Sequence, residues 1–153
     1  MGIDFSEYYL TGNIKTNKRG KYKKSEKIEE KLAFSIAKIL KFKYNHLIWR
    51  FDVGADLNLT VGSAVKNKRL QMNDRGYPDL FIAQKTNTYG GLYVELKKSR
   101  EEIYRKNGDF RENKHLQEQL KMHKRLRLKG YKVVFCWSVD DFIKILDNYL
   151  KGE

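Results

Sequence analysis

The run Leu92-Tyr93-Val94-Glu95-Leu96-Lys97 is the strongest constraint on how this chain can fold. It alternates with a period of two. Leu92, Val94 and Leu96 therefore share one face of a strand, and Tyr93, Glu95 and Lys97 share the other. A long helical pattern follows from about residue 113 to Lys129 and stops at Gly130, a residue suited to ending a helix. The apolar run from Tyr131 to Trp137 then reads as a second strand. Two strands joined through a helix predict a parallel crossover, and with it an α/β domain.

The rest of the pattern fits around that unit. Ser25 can cap a first helix whose opening turns carry Glu26, Glu29 and Glu30, where carboxylates suit the positive end of the helix dipole. Leu32, Ile36, Ile39 and Leu40 follow at helical spacing. Leu47 to Phe51 reads as a strand, residues 54–76 are mixed, and a short helix is predicted near 62–71. Arg75-Gly76-Tyr77-Pro78 is a turn signal leading into a strand over 79–83. A second turn over Asn87 to Gly91 makes 79–83 and 92–97 a hairpin. Ser138 can cap a last helix with Phe142, Ile145, Leu146 and Leu150 on one side. The predicted order is helix, strand, insert, strand, strand, helix, strand, helix, around a central mixed sheet with helices on both faces. A length of 153 residues fits one domain over 25–153 behind a basic arm over 1–24.

The chain carries 32 Lys and Arg against 19 Asp and Glu, a formal charge of +13. An excess of this size favours polyanionic partners, nucleic acid or an anionic membrane surface. The charge is clustered. Lys15, Lys18, Arg19, Lys21, Lys23 and Lys24 lie in the arm; Lys66, Lys68 and Arg69 lie in the insert. No acidic residue stands between Glu118 and Asp140, and Lys121, Lys124 and Arg125 share one side of the long helix, with His123 less closely on that side. Such clusters suit contacts to a phosphate backbone. The ordinary alternative for each is a solvated helix face. The lone cysteine, Cys136, allows no intramolecular disulfide and sits in an apolar run, where it reads as a small buried hydrophobe. The three histidines lack zinc-ligand spacing. No apolar stretch approaches a membrane span and the N-terminus has no secretory core, which predicts an intracellular, cytoplasmic protein.

The chemistry-bearing residues lie on the predicted hairpin. Glu95 and Lys97 are neighbours on one strand face, roughly 7 Å apart along the strand. Asp79 begins the preceding strand, behind Pro78, the only proline in the chain. Two carboxylates and a lysine at one spot make a site for a hard cation. Mg²⁺ prefers oxygen ligands and keeps several waters. Asp79 and Glu95 offer carboxylate oxygens and Leu96 a main-chain carbonyl. A cation there would lower the pKa of a bound water and polarise a scissile phosphate, and Lys97 would either hold the nucleophilic water or neutralise charge developing on the phosphoryl oxygens. Singly, a Glu-x-Lys strand or an Asp after Pro is usually a solvated face or a turn; it is the combination that signals a site.

Gly76-Tyr77-Pro78-Asp79-Leu80, followed by Gly91-Leu92-Tyr93-Val94-Glu95-Leu96-Lys97, resembles the VRR-NUC branch of the PD-(D/E)xK nucleases. Gln119 early in a helix, Gly130-Tyr131, and Val133-Val134-Phe135 continue the resemblance, and the segment from Trp49 to Thr60 is similar to that of phage-encoded members. The resemblance covers roughly residues 25–150. It implies a restriction-endonuclease-like αβββαβ core and Mg²⁺-dependent hydrolysis of DNA, with Mn²⁺ as a substitute. It implies Asp79 and Glu95 as metal ligands, Lys97 as the catalytic lysine, and Gln119 as a residue orienting water or phosphate. It also implies a glutamate on the first helix. Glu29 fits best, because Leu32, Ile36, Ile39 and Leu40 follow it at +3, +7, +10 and +11; Glu26 and Glu30 remain rivals. The polar stretch 98–114 departs from compact members. Small members of this kind resemble structure-selective enzymes, such as resolvases of four-way junctions, that work as homodimers. A non-catalytic nucleic-acid-binding protein on the same fold and a basic membrane-surface protein are the competing readings. Neither explains why carboxylates should gather where a polyanion binds.

Overall fold

The structure is a computed structural model that describes residues 24–52, 61–72 and 74–152. Most of the predicted basic arm and the segment 53–60 lie outside the described residues. The elements run α1 (Lys24–Lys43), β1 (Trp49–Phe51), α2 (Val61–Arg69), β2 (Leu80–Ile82), β3 (Leu92–Leu96), α3 (Lys114–Leu128), β4 (Lys132–Cys136) and α4 (Val139–Lys151). This is the order the sequence predicts. One difference is at the start: α1 takes in Lys24, so Ser25 lies inside the first turn rather than at the cap. Another is that β1 begins at Trp49, because Leu47 closes a turn by donating its N–H to the Tyr44 carbonyl at 3.0 Å.

The four strands form one sheet in the order β1-β2-β3-β4. The β1–β2 and β2–β3 pairs are antiparallel, and β3–β4 is parallel, with Glu95 opposite Phe135 and Leu96 opposite Cys136. The parallel pair is the crossover predicted through α3. Local chemistry sets the helix ends. The Asn113 side chain accepts from the Leu116 N–H at the start of α3, and the Ser138 hydroxyl accepts from the Asp141 N–H at the start of α4.

Helices α1 and α4 pack on one sheet face and α3 on the other. Leu32, Ile36 and Leu40 of α1, with Phe142, Leu146 and Tyr149 of α4, join Leu80, Ile82, Leu92, Val94 and Leu96 in one buried cluster. Cys136 joins it as expected, fully buried, its thiol pushed up to about 12 by burial. On the opposite face, α3 lies over β3 and β4, and His123 rests against Phe135 at 4.8 Å between ring centroids. Tyr93, Phe81, Tyr77 and Tyr131 form an aromatic layer there, with the Tyr77 and Tyr93 hydroxyls 2.7 Å apart. All five β3 residues are therefore buried. The polar stretch after β3 is ordered. It makes a short 3-10 turn over Arg100–Glu102 and folds back through a bridge between Tyr104 and Phe110, with Ile103 fully buried. No described helix is long and apolar enough to cross a membrane.

Candidate active site

Asp79, Glu95 and Lys97 meet at the end of β3, and each is placed by a different local cause. Lys97 follows the last β3 residue, and its N–H donates to the Cys136 carbonyl at 2.9 Å, which extends the parallel ladder past the strand. Its ammonium donates to Glu95 Oε1 at 2.8 Å. Asp79 sits behind buried Pro78, and its Oδ2 accepts from the Leu96 N–H at 2.7 Å. Gly76 brings this loop onto α3. It has φ +85, and a Cβ there would stand 2.7 Å from the Gln119 backbone, so only glycine allows the approach. The close contact puts Gln119 at the site, where its side-chain amide donates to Glu95 Oε1.

The electrostatics mark this spot as unusual. Asp79 is pushed up to about 7, first by burial and then by the charge of Glu95, against the Leu96 N–H and Lys97. Glu29 on α1 is also pushed up to about 7 by burial, against Lys97, with Glu102 and Glu95 adding to the rise. Burial disfavours the charge on Lys97, but Glu95, Glu29 and Asp79 outweigh it and hold its pKa above the usual value. Glu29 is thus within electrostatic reach of Asp79, Glu95 and Lys97, whereas Glu30 is exposed. The side chain of Glu26 lies outside those described. Half-buried Glu29 is one turn before Leu32 and Ala33 on the inward stripe of α1, which is why it turns toward the sheet.

A hard divalent cation fits this donor set. Asp79 is desolvated and raised further by the charge of Glu95, an arrangement that a cation between the two would relieve, and Glu95 Oε2 has no hydrogen-bond partner among the described residues. The same residues contain no group of three His, Cys, Asp or Glu able to hold an ion alone. The cation would therefore keep waters in its shell beside two carboxylates, as Mg²⁺ does.

Other predicted binding residues lie elsewhere. Lys121, Lys124 and Arg125 are exposed on the side of α3 turned away from buried Leu116, Gln119, Met122 and His123. Arg125 pairs with Asp74 in a cleft lined also by Arg75, Glu118, Lys121 and Met122. Lys66, Lys68 and Arg69 are exposed on α2.

Two residues near the site were not anticipated. Glu102 pairs with Lys98 at 2.7 Å and adds negative charge near Glu29; nothing in the polar stretch foretold its fold-back. His123 is not on the basic side of α3 but fully buried, 3.9 Å from Glu95 Oε2. Its signal was present, since a residue four after an inward Gln119 also faces inward.

No family model matches this sequence, and no curated protein does. A solved structure described as a VRR_NUC domain protein does match, with a TM-score of 0.57 and 21% identity over 80% of this chain and 88% of that one. The chain shares the α/β fold of that VRR_NUC domain protein.

Proposed function

We propose that this chain is a nuclease of the VRR-NUC type that hydrolyses phosphodiester bonds in DNA with Mg²⁺ or Mn²⁺. The observation that carries the reading is the meeting of Asp79, Glu95 and Lys97 in a desolvated site, on a fold shared with a VRR_NUC domain protein. Asp79 and Glu95, with the Leu96 carbonyl, would hold the cation. Bound there, it supplies Lewis-acid charge at the scissile phosphate and makes a water a better nucleophile.

The chain's own residues do the rest. Lys97, 12% exposed and anchored by Glu95, presents a compact positive charge to the phosphoryl oxygens as they gain charge. Gln119 fixes Glu95 through Oε1. Glu29 adds a third negative group from α1. The exposed basic residues of α3 and α2 hold the phosphate backbone away from the reacting centre.

The proposed substrate is branched DNA recognised by shape, and the proposed working form is a homodimer. The test is cleavage of labelled four-way junction, flap, duplex and single-stranded DNA with Mg²⁺ or Mn²⁺. Wild type should cut and need the metal. Lys97→Ala and Asp79→Ala should bind DNA but cut at least ~10²-fold more slowly. Binding of all four without cleavage would instead favour a binding protein built on this fold.

A further inference from the structure

The helix α3 meets Glu95 with two side chains. Gln119 and His123 stand four residues apart, so they lie one above the other on the inward face. Gln119 donates to Glu95 Oε1, and His123 Nε2 lies 3.9 Å from Glu95 Oε2. The three are 4%, 0% and 2% exposed in the order Gln119, His123, Glu95. Among the described residues, Glu95 Oε2 and both ring nitrogens of His123 have no hydrogen-bond partner. Buried polar atoms are rarely left unpaired. Here a carboxylate oxygen needs a donor, and an imidazole N–H beside it needs an acceptor. Phe135 lies against the imidazole ring at 4.8 Å and limits its tilt. The 3.9 Å separation is beyond hydrogen-bond reach as placed, and closing the pair takes a shift of about 1 Å.

We infer that His123 is a positioning residue that grips Glu95 Oε2 through its Nε2–H. This inference rests on the reading of Glu95 as a metal ligand. Lys97 and Gln119 both act on Oε1, so they leave the carboxylate free to swing about the bond that carries it. His123 acts on the other oxygen and fixes the plane of the group. A carboxylate that binds a cation does so best when its orientation is fixed by partners of this kind, and loss of one typically weakens metal binding or activity by about 10–100-fold. His123 touches no substrate. Its effect passes through Glu95 alone.

The test has two arms. In the first, the imidazole of His123 is followed by ¹⁵N NMR in the metal-free wild-type protein. A protonated Nε2 in slow exchange, shifted by Glu95→Gln, is expected; an Nε2 that carries no proton, or that ignores Glu95→Gln, overturns the inference. In the second arm, Mn²⁺ affinity is measured for wild type, His123→Phe and His123→Gln, each checked for folding. His123→Phe fills the space without a donor and should bind Mn²⁺ about 10–100-fold more weakly. His123→Gln can restore an N–H and should recover most of the affinity. A folded His123→Phe that binds Mn²⁺ like wild type overturns the inference. Wild type that binds no Mn²⁺ sinks the metal reading by itself, and the NMR arm still decides whether His123 holds Glu95.

Discussion

The two faces of β3 are equally hidden from water and opposite in chemistry. Toward α1 and α4, Leu92, Val94 and Leu96 are enclosed by Ile36, Leu40, Phe142 and Leu146, with no charge among them. Toward α3, Glu95 is buried with Gln119 and His123, and Asp79 and Lys97 border it. The first face contributes stability through apolar burial, at roughly 25 cal/mol for each Å² removed from water. The second face works against stability, because it desolvates carboxylates and, among the described residues, holds buried polar atoms with no hydrogen-bond partner. A chain that keeps such a face needs the strong one behind it. The apolar side of β3 is the platform, and the polar side is where stability is given up for the proposed chemistry.

That contrast can be broken from the apolar side. Phe142 is fully buried in the cluster, and Phe142→Ala should cost about 3–5 kcal/mol of stability. Chemical denaturation would measure it. A loss below about 1 kcal/mol would mean that this face is not the platform. Next in size is the seam between the site loop and α3. Gly76→Ala forces a side chain into the left-handed region and onto the Gln119 backbone, which should cost about 2–3 kcal/mol. It should also lower cleavage in the protein that remains folded, because Asp79 and Gln119 would separate.

A third effect lies on the polar side, in how stability depends on pH. Glu29 and Asp79 have folded-state pKa values of about 7, against ordinary values of 4.5 and 3.8. Between those limits the folded protein holds protons that the unfolded chain has released. Their contribution is therefore fully present below the ordinary values and is lost as pH rises through about 7. Metal-free protein should melt at a lower temperature at pH 8 than these groups would allow at pH 5. Added Mg²⁺ or Mn²⁺ should offset that loss. A melting temperature that rises steadily through this window, with no response to metal, would contradict the electrostatics assigned to the site.

Much of this was legible in the sequence, and the reasons are local. The period-two run at 92–97, the crossover through residues 114–128 and the capping serine at 138 each depend on neighbours close in sequence, so the pattern carried them. The meeting of Asp79 with Glu95 was legible because a hairpin aligns them. Glu29 was legible as the best fit of three rivals, because Leu32, Ile36, Ile39 and Leu40 follow it at helical spacing, and α1 leaves Glu30 exposed. The fold-back of 98–112 was not legible, because a buried Ile103 in a polar stretch gives no period to read. The basic residues of α3 were legible as a stripe, but where that stripe points depends on which helix face meets the sheet. His123 was overlooked for a related reason: its basic neighbours in sequence drew it toward the wrong side of the helix.

The most direct test of the central claim is Asp79→Asn, measured for both stability and cleavage. Asparagine keeps an oxygen to accept from the Leu96 N–H and removes the buried charge. Metal-free Asp79→Asn should melt above wild type at pH 8, and cleavage of DNA with Mn²⁺ should fall by at least ~10²-fold. A variant that is both less stable and as active as wild type would contradict the account, because the polar side of β3 would then be structural rather than the place where chemistry is done.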